Sequence, residues 1–211
     1  MGSSCSCIYF FAIQVSIIPL FILFVILSIL QAFHPSFNHS YTKKFSFLFF
    51  RDQLLLLEES WRELFVLSSA QFALPVDLAA TSTENENLLM ELKNLQDTIQ
   101  KFQELKVDLT EFACLRAIIL LKNQIDSDGT EMKELRDPAT ITSLQEQAQL
   151  TLAKYVSNSY PTQPLRYGKL LLLLPKLKSI SGKAIEELFF KKTIGAIPIE
   201  RIICDMYKSN N

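Results

Sequence analysis

Beyond residue 39 the sequence contains no histidine, for His34 and His39 are its two imidazoles. The long C-terminal part therefore lacks the side chain most often used as a general base at neutral pH. A Ser-His-Asp or Cys-His nucleophile is unavailable there. Cysteine is equally sparse. Cys5, Cys7, Cys114 and Cys204 form no Cys-x-x-Cys pair, so the ligand count excludes a structural zinc module. Cys114 and Cys204 stand alone in apolar helical text and read as small core hydrophobes, which suits a reducing compartment. The 5 glycines compose neither GxGxxG nor GxxxxGK, so no phosphate-cradling loop is present. A net charge of −1 leaves no electrostatic footprint for nucleic acid, and this chain is not expected to bind it directly. The carboxylate pairs Glu58–Glu59 and Glu186–Glu187 are adjacent, so on a helix they diverge and do not form an acid/base dyad. Neither an enzyme, nor a cofactor, nor a metal centre is expected.

Charge is missing from one end altogether. Residues 1–42 hold no Asp, Glu, Lys or Arg, and every charged side chain lies from Lys43 onward. Within this leader, "IYFFAIQVSIIPLFILFVILSILQAF" (Ile8–Phe33) is long enough to cross a bilayer at about 1.5 Å per residue. As a signal peptide the apolar run is too long and is followed by no small-x-small cleavage site. Two readings stand: a membrane span over 8–33, or sequence foreign to the domain behind it, such as an alternative first exon or a gene-model artefact. The chain accordingly divides into a hydrophobic leader, 1–50, and a helical part, 51–211.

That helical part carries periodic apolar stripes and almost no strand signal. Leu54, Leu57, Trp61, Leu64 and Phe65 follow one helical face after Asp52, a fitting cap, while Leu55, Leu56, Val66 and Leu67 fill the other sides. A helix apolar nearly all round is buried between other layers. The segment from Thr81 to Lys106 repeats Leu88, Leu92, Leu95 and Ile99 on one face. Asp108 caps "LTEFACLRAIILLK", which stops at the loop-like "NQIDSDG". Pro138 opens another long helix that ends before "PTQP". "LRYGKLLLLLPKLKSISGKAIEELFFKKTIG" runs as two helical pieces hinged near Pro175 and Gly182, with Gly195 as a C-terminal stop. The amphipathic tail "IPIERIICDMYKS" closes the chain.

In this order the segments resemble the ligand-binding domain of nuclear receptors. "DQLLLLEESWREL" (Asp52–Leu64) resembles the family's helix 4–5 signature and "EFACLRAIILL" its helix 8. "LRDPATI" is similar to the loop into helix 9, the stretch from Arg166 to Gly195 to helix 10–11, and "IICDMY" to the helix 12 activation motif. "EELFFKKTIGAIPIERIICDMYKS" is most similar to the tailless and dissatisfaction group of orphan receptors. The resemblance runs from Asp52 to the C-terminus. The zinc-finger DNA-binding domain, the only place for zinc in the family, and helices 1 to 3 have no counterpart.

The resemblance implies an all-α fold, a partial three-layer helical sandwich whose middle layer is the leucine-rich helix. It also implies a regulatory domain acting in transcriptional repression in the nucleus, with a membrane-anchored helical adaptor as the alternative if the leader is a working span. A co-repressor peptide of the atrophin type would meet a groove formed by Gln53, Leu54, Leu57, Glu58, Ile202, Ile203, Asp205 and Met206. Trp61, Phe65, Val66, Ala184 and Leu188 would line a cavity for a lipophilic ligand of unknown identity. Glu63 would pair with Arg136, and helix 10 would carry a homodimer seam with Leu170 and Leu173 as candidates.

Overall fold

The computed structural model describes residues 48–74, 85–123 and 134–209. The Ile8–Phe33 segment, and with it the choice between span and foreign sequence, lies outside the described residues. Among those described, the regular elements are all helical. None is long and apolar enough to cross a membrane. They are α1 (Phe50–Gln71), α2 (Glu86–Glu104), α3 (Leu109–Leu120), α4 (Pro138–Ser159) and α5 (Arg166–Leu177). After these come the short α6 (Gly182–Ile185), a π-helical segment (Glu186–Phe190), α7 (Lys191–Ile194) and the final α8 (Ile199–Ser209).

The leucine run explains why α1 is central. Leu56, Leu57, Leu64, Phe65, Val66 and Leu67 are each no more than 2% exposed, and they point to different sides of the helix. Burial of each such side chain stabilises by about 1.5–3 kcal/mol, an upper figure because unfolded chains already hide some apolar surface. Helices α2, α3, α5 and α8 all pack on α1, so every face of the run finds cover.

The helix ends follow local chemistry. Asn85 caps α2 through its side chain, and Asp108 caps α3 in a reciprocal capping box with Glu111. Asp137 caps α4, with Pro138 in the first turn where its missing N–H costs nothing. Pro175 lies inside the last turns of α5, and the break falls later, at residues 178–181, before Ser181 caps α6. Gly195 stops α7 at φ +69°, a conformation that side chains with a Cβ avoid.

One expectation is corrected here. Asp52 does not cap α1, which begins at Phe50 behind Phe49. It sits fully buried in the first turn and accepts the backbone N–H groups of Arg136 (3.1 Å) and Asp137 (3.2 Å). Its carboxylate thus ties the approach to α4 onto α1, beside the positive end of the α4 dipole.

Candidate functional site

The site that the fold assembles is the seam between its first and last described helices. Glu186 accepts the N–H of Ile199 at 3.0 Å, which satisfies a donor of the opening α8 turn. The next residue, Glu200, accepts the indole N–H of Trp61 at 2.8 Å. Burial first, and then the charge of Glu58, push the Cys204 thiol up. At the far end the Tyr207 hydroxyl donates to Gln53 Oε1 at 2.5 Å, and its ring stacks on Phe50 with centroids 5.8 Å apart. Positions 200 and 207 meet 61 and 53 in turn, so α8 runs antiparallel along α1. Ile199 and Ile203, both 3% exposed, fill the space between.

The groove residues foreseen in the sequence divide between the interior and the rim of this seam. Gln53, Leu57 and Ile203 are buried, whereas Leu54, Glu58, Ile202 and Met206 are half-buried. Asp205, the acid matched to the activation motif, is exposed and lies 3.9 Å from Arg201. The acid that faces α1 is Glu200, which sequence reasoning passed over. Its signal was present: Glu200, Ile203 and Tyr207 recur at helical spacing on the side that carries the tail's apolar stripe.

Of the residues foreseen as a cavity wall, Trp61, Phe65, Val66 and Ala184 are buried and Leu188 is half-buried. The Trp61 indole lies against Gly182, where an added Cβ would stand 3.1 Å from its Cζ2. The Phe65 ring meets Phe189 at 5.2 Å and Phe190 at 5.5 Å between centroids. The π-helical segment makes this double contact. Its extra residue per turn brings two consecutive phenylalanines onto one ring.

The expected Glu63–Arg136 pair is not formed. Glu63 accepts instead from Lys122 Nζ at 2.8 Å, and the same ammonium also donates to the Glu59 carbonyl at 2.7 Å. Lys122 follows directly on α3, which packs against α1, so its ammonium reaches Glu63 first. Arg136 lies with its guanidinium 5.5 Å from the Phe49 ring centroid, a cation–π contact, while Asp52 holds its backbone.

A second polar cluster fixes the scaffold behind the seam. Arg166 forks onto Glu111 through Nε (2.6 Å) and Nη2 (2.7 Å). It also reaches the Leu105 carbonyl (3.0 Å) and the Lys106 carbonyl (3.1 Å), and it lies 4.0 Å from the Tyr160 ring centroid. Asp108 Oδ2 accepts from Tyr155 (2.9 Å) and Tyr160 (2.7 Å). Among the described residues no group of three His, Cys, Asp or Glu side chains is placed to hold a metal ion. The seam itself is an apolar contact closed by specific hydrogen bonds.

Residues 39–194 match the family described as the ligand-binding domain of nuclear hormone receptor. Nuclear receptor subfamily 2 group F member 6 of Mus musculus is 41% identical over 172 residues, covering 76% of this chain and 42% of that protein. Group F member 5 of Danio rerio is 38% identical over the same length, covering 76% and 41%. The steroid receptor seven-up, isoforms B/C, of Drosophila melanogaster is also 38% identical, covering 76% and 30%. The chain thus spans less than half the length of these relatives.

Proposed function

The chain belongs to the nuclear hormone receptor family through its ligand-binding domain, and on that premise we propose that it is the regulatory domain of an orphan-type receptor acting in transcriptional repression. The supporting observation is the position of α8. It lies along α1, held by the Trp61–Glu200 and Gln53–Tyr207 hydrogen bonds. An amphipathic activator helix would need that same wall. With the wall covered, accessible apolar groups include the half-buried Leu54, Ile202 and Met206 and the exposed Phe50. These are the contacts a co-repressor peptide would use, the atrophin type being the candidate, while Leu57 and Ile203 hold α8 in place. Membership of the family supports a nuclear location. A placement within the tailless group rests on the stretch from Glu186 to Ser209 alone, most of which lies beyond the matched residues. A homodimer through α5 is a further part of this reading.

The test uses a receptor containing this domain, with pull-down of co-repressor and of an activator-type amphipathic peptide. Leu54→Arg should abolish co-repressor capture while the helical circular dichroism is unchanged. The double variant Glu200→Ala/Tyr207→Phe frees α8 and should raise capture of the activator peptide. Undiminished co-repressor capture by a folded Leu54→Arg protein would sink the assignment.

A further inference from the structure

The linker between α5 and α6 is fastened to α2 through Ser181. Its backbone N–H donates to Glu91 Oε2 at 2.6 Å and its hydroxyl to Glu91 Oε1 at 2.8 Å. The hydroxyl oxygen also accepts the Ala184 N–H at 3.1 Å and so caps α6. One carboxylate of α2 thus holds two donors of a single residue. The next residue, Gly182, lies against the Trp61 ring. The sequence before Ser181 has a second feature. Lys178 stands three residues ahead of it and Lys176 five, with no acid between Lys169 and Glu186. A serine preceded by bases at those two spacings, on a non-helical segment, carries the charge pattern that an acidic kinase cleft selects. Ser179 has a base three places ahead but Leu174 in the fifth place, and its hydroxyl is turned onto the Lys176 carbonyl. Lys178 and Ser179 are exposed and Ser181 is half-buried. Ile180, 1% exposed, pins the linker, so a kinase reaches Ser181 when the linker opens locally.

We propose that Ser181 is a phosphorylation site for a basophilic serine kinase, and that the phosphate parts α6 from α2. In the transfer the Ser181 oxygen bonds to the γ-phosphorus of ATP. The bond from that phosphorus to the oxygen it shares with ADP breaks, and the hydroxyl proton is released. The product carries a charge of about −1.5 to −2 at neutral pH and has lost the donor that Glu91 accepted. Returning to Glu91 would set phosphate against carboxylate, so the modified linker stays open over α2. The phosphate oxygens still accept the Ala184 N–H, so α6 keeps its cap while it leaves α2. Gly182 moves off the Trp61 ring with it. The inference concerns the junction of α2 with α6 and does not rest on the reading of α8.

The experiment has two arms, both on the full 211-residue chain. In the first, the chain is treated with ATP and a kinase selective for bases three and five residues ahead of its target, and the phosphate is mapped by mass spectrometry. Ser181→Ala should abolish incorporation, whereas Ser179→Ala should leave it in place. In the second, phosphoserine is installed at position 181 during synthesis of the parent, of Glu91→Gln and of Glu91→Lys. Each phosphorylated protein is compared with its own unphosphorylated form, so the cost of the Glu91 substitution itself cancels. In the parent the phosphate should lower the Tm by about 2–6 °C and change the emission of Trp61, the single tryptophan of the chain. Both effects should shrink in Glu91→Gln. In Glu91→Lys the phosphate should raise the Tm, because the contact has become an ion pair. The proposal is overturned if the kinase modifies Ser179 alone or neither serine. It is equally overturned if the installed phosphate shifts all three proteins by the same amount, or shifts none.

Discussion

Removing Glu111 should bring this domain close to unfolding. Its side chain is wholly buried, the Arg166 side chain is 4% exposed, and the two meet at 2.6 Å. Glu111→Ala strands a buried guanidinium, which costs about 3–5 kcal/mol. It also deletes the half of the capping box in which Glu111 Oε2 accepts the Asp108 N–H at 3.0 Å, worth about 1 kcal/mol. The sum, on the order of 4–6 kcal/mol, is comparable with the whole stability of an average domain, about 5–15 kcal/mol. Arg166→Met should also be severe, because it releases the Leu105 and Lys106 carbonyls together with Glu111. The double variant Glu111→Met/Arg166→Met leaves no stranded charge, so its loss should fall well short of the sum of the single losses. Urea unfolding followed by circular dichroism gives each value, and the cycle isolates the coupling, expected at about 2 kcal/mol or more. Single losses that add to within about 0.5 kcal/mol would refute the argument. Arg166 would then be held by its carbonyls and the Tyr160 ring, not by its acid.

The Asp108 cluster predicts two limbs in stability against pH. Burial alone would raise the Asp108 carboxyl, but hydrogen bonds from Glu111 N–H, Tyr160, Tyr155 and Thr110 N–H outweigh it and hold the group below its ordinary value. A depressed carboxyl contributes stability that is present above its unfolded pKa and lost as pH falls through the folded value, so acid melts should show this loss and Asp108→Asn should abolish it. Tyr160 is pushed up to about 12, first by its hydrogen bond to Asp108; its contribution is complete below the unfolded value, about 10, and should disappear as pH rises toward the folded one, read by tyrosinate absorbance. Self-association through α5 should depend on Leu172, which is 72% exposed, and not on Leu170 (0%) or Leu173 (8%), the positions first expected at the seam. In sedimentation, Leu172→Glu should shift the protein toward monomer with its melt unchanged, whereas Leu170→Glu should lose the fold; a dimer that survives Leu172→Glu would exclude this face.

What could be read from the sequence depended on how far each inference had to reach. The burial of α1 was legible because Leu54 to Leu57 leave no polar side for solvent, whatever packs against them. The starts of α3 and α4 were legible because a cap is a contact over three residues, as Asp108 with Glu111 and Asp137 with Thr140 show. Contacts across the fold were harder, since an acid is placed by its helix but its partner by a distant loop. Glu63 was therefore given to Arg136, although Lys122 at the end of α3 reaches it. Asp52, taken for a cap, holds that same loop through two backbone N–H groups that carry no sequence signal. The Arg166–Glu111 clamp left only a faint trace, one arginine directly after the short "PTQPL" turn. The π-helical segment at Glu186–Phe190 left none, because "EELFF" suits an ordinary helix equally well. The extra residue is a tertiary decision, favoured because it lets Phe189 and Phe190 both reach Phe65. The same logic governs α8. Its amphipathic text announces a helix that must cover something apolar, but that it covers α1 is decided by the burial of Ile199 and Ile203 together with two long-range hydrogen bonds. The neutral Gln53–Tyr207 bond is worth about 1 kcal/mol and Trp61–Glu200, to a carboxylate, about 1.5–3 kcal/mol. A partner helix could displace α8 only by replacing both the apolar burial and these bonds, which is the competition the proposed pull-down measures.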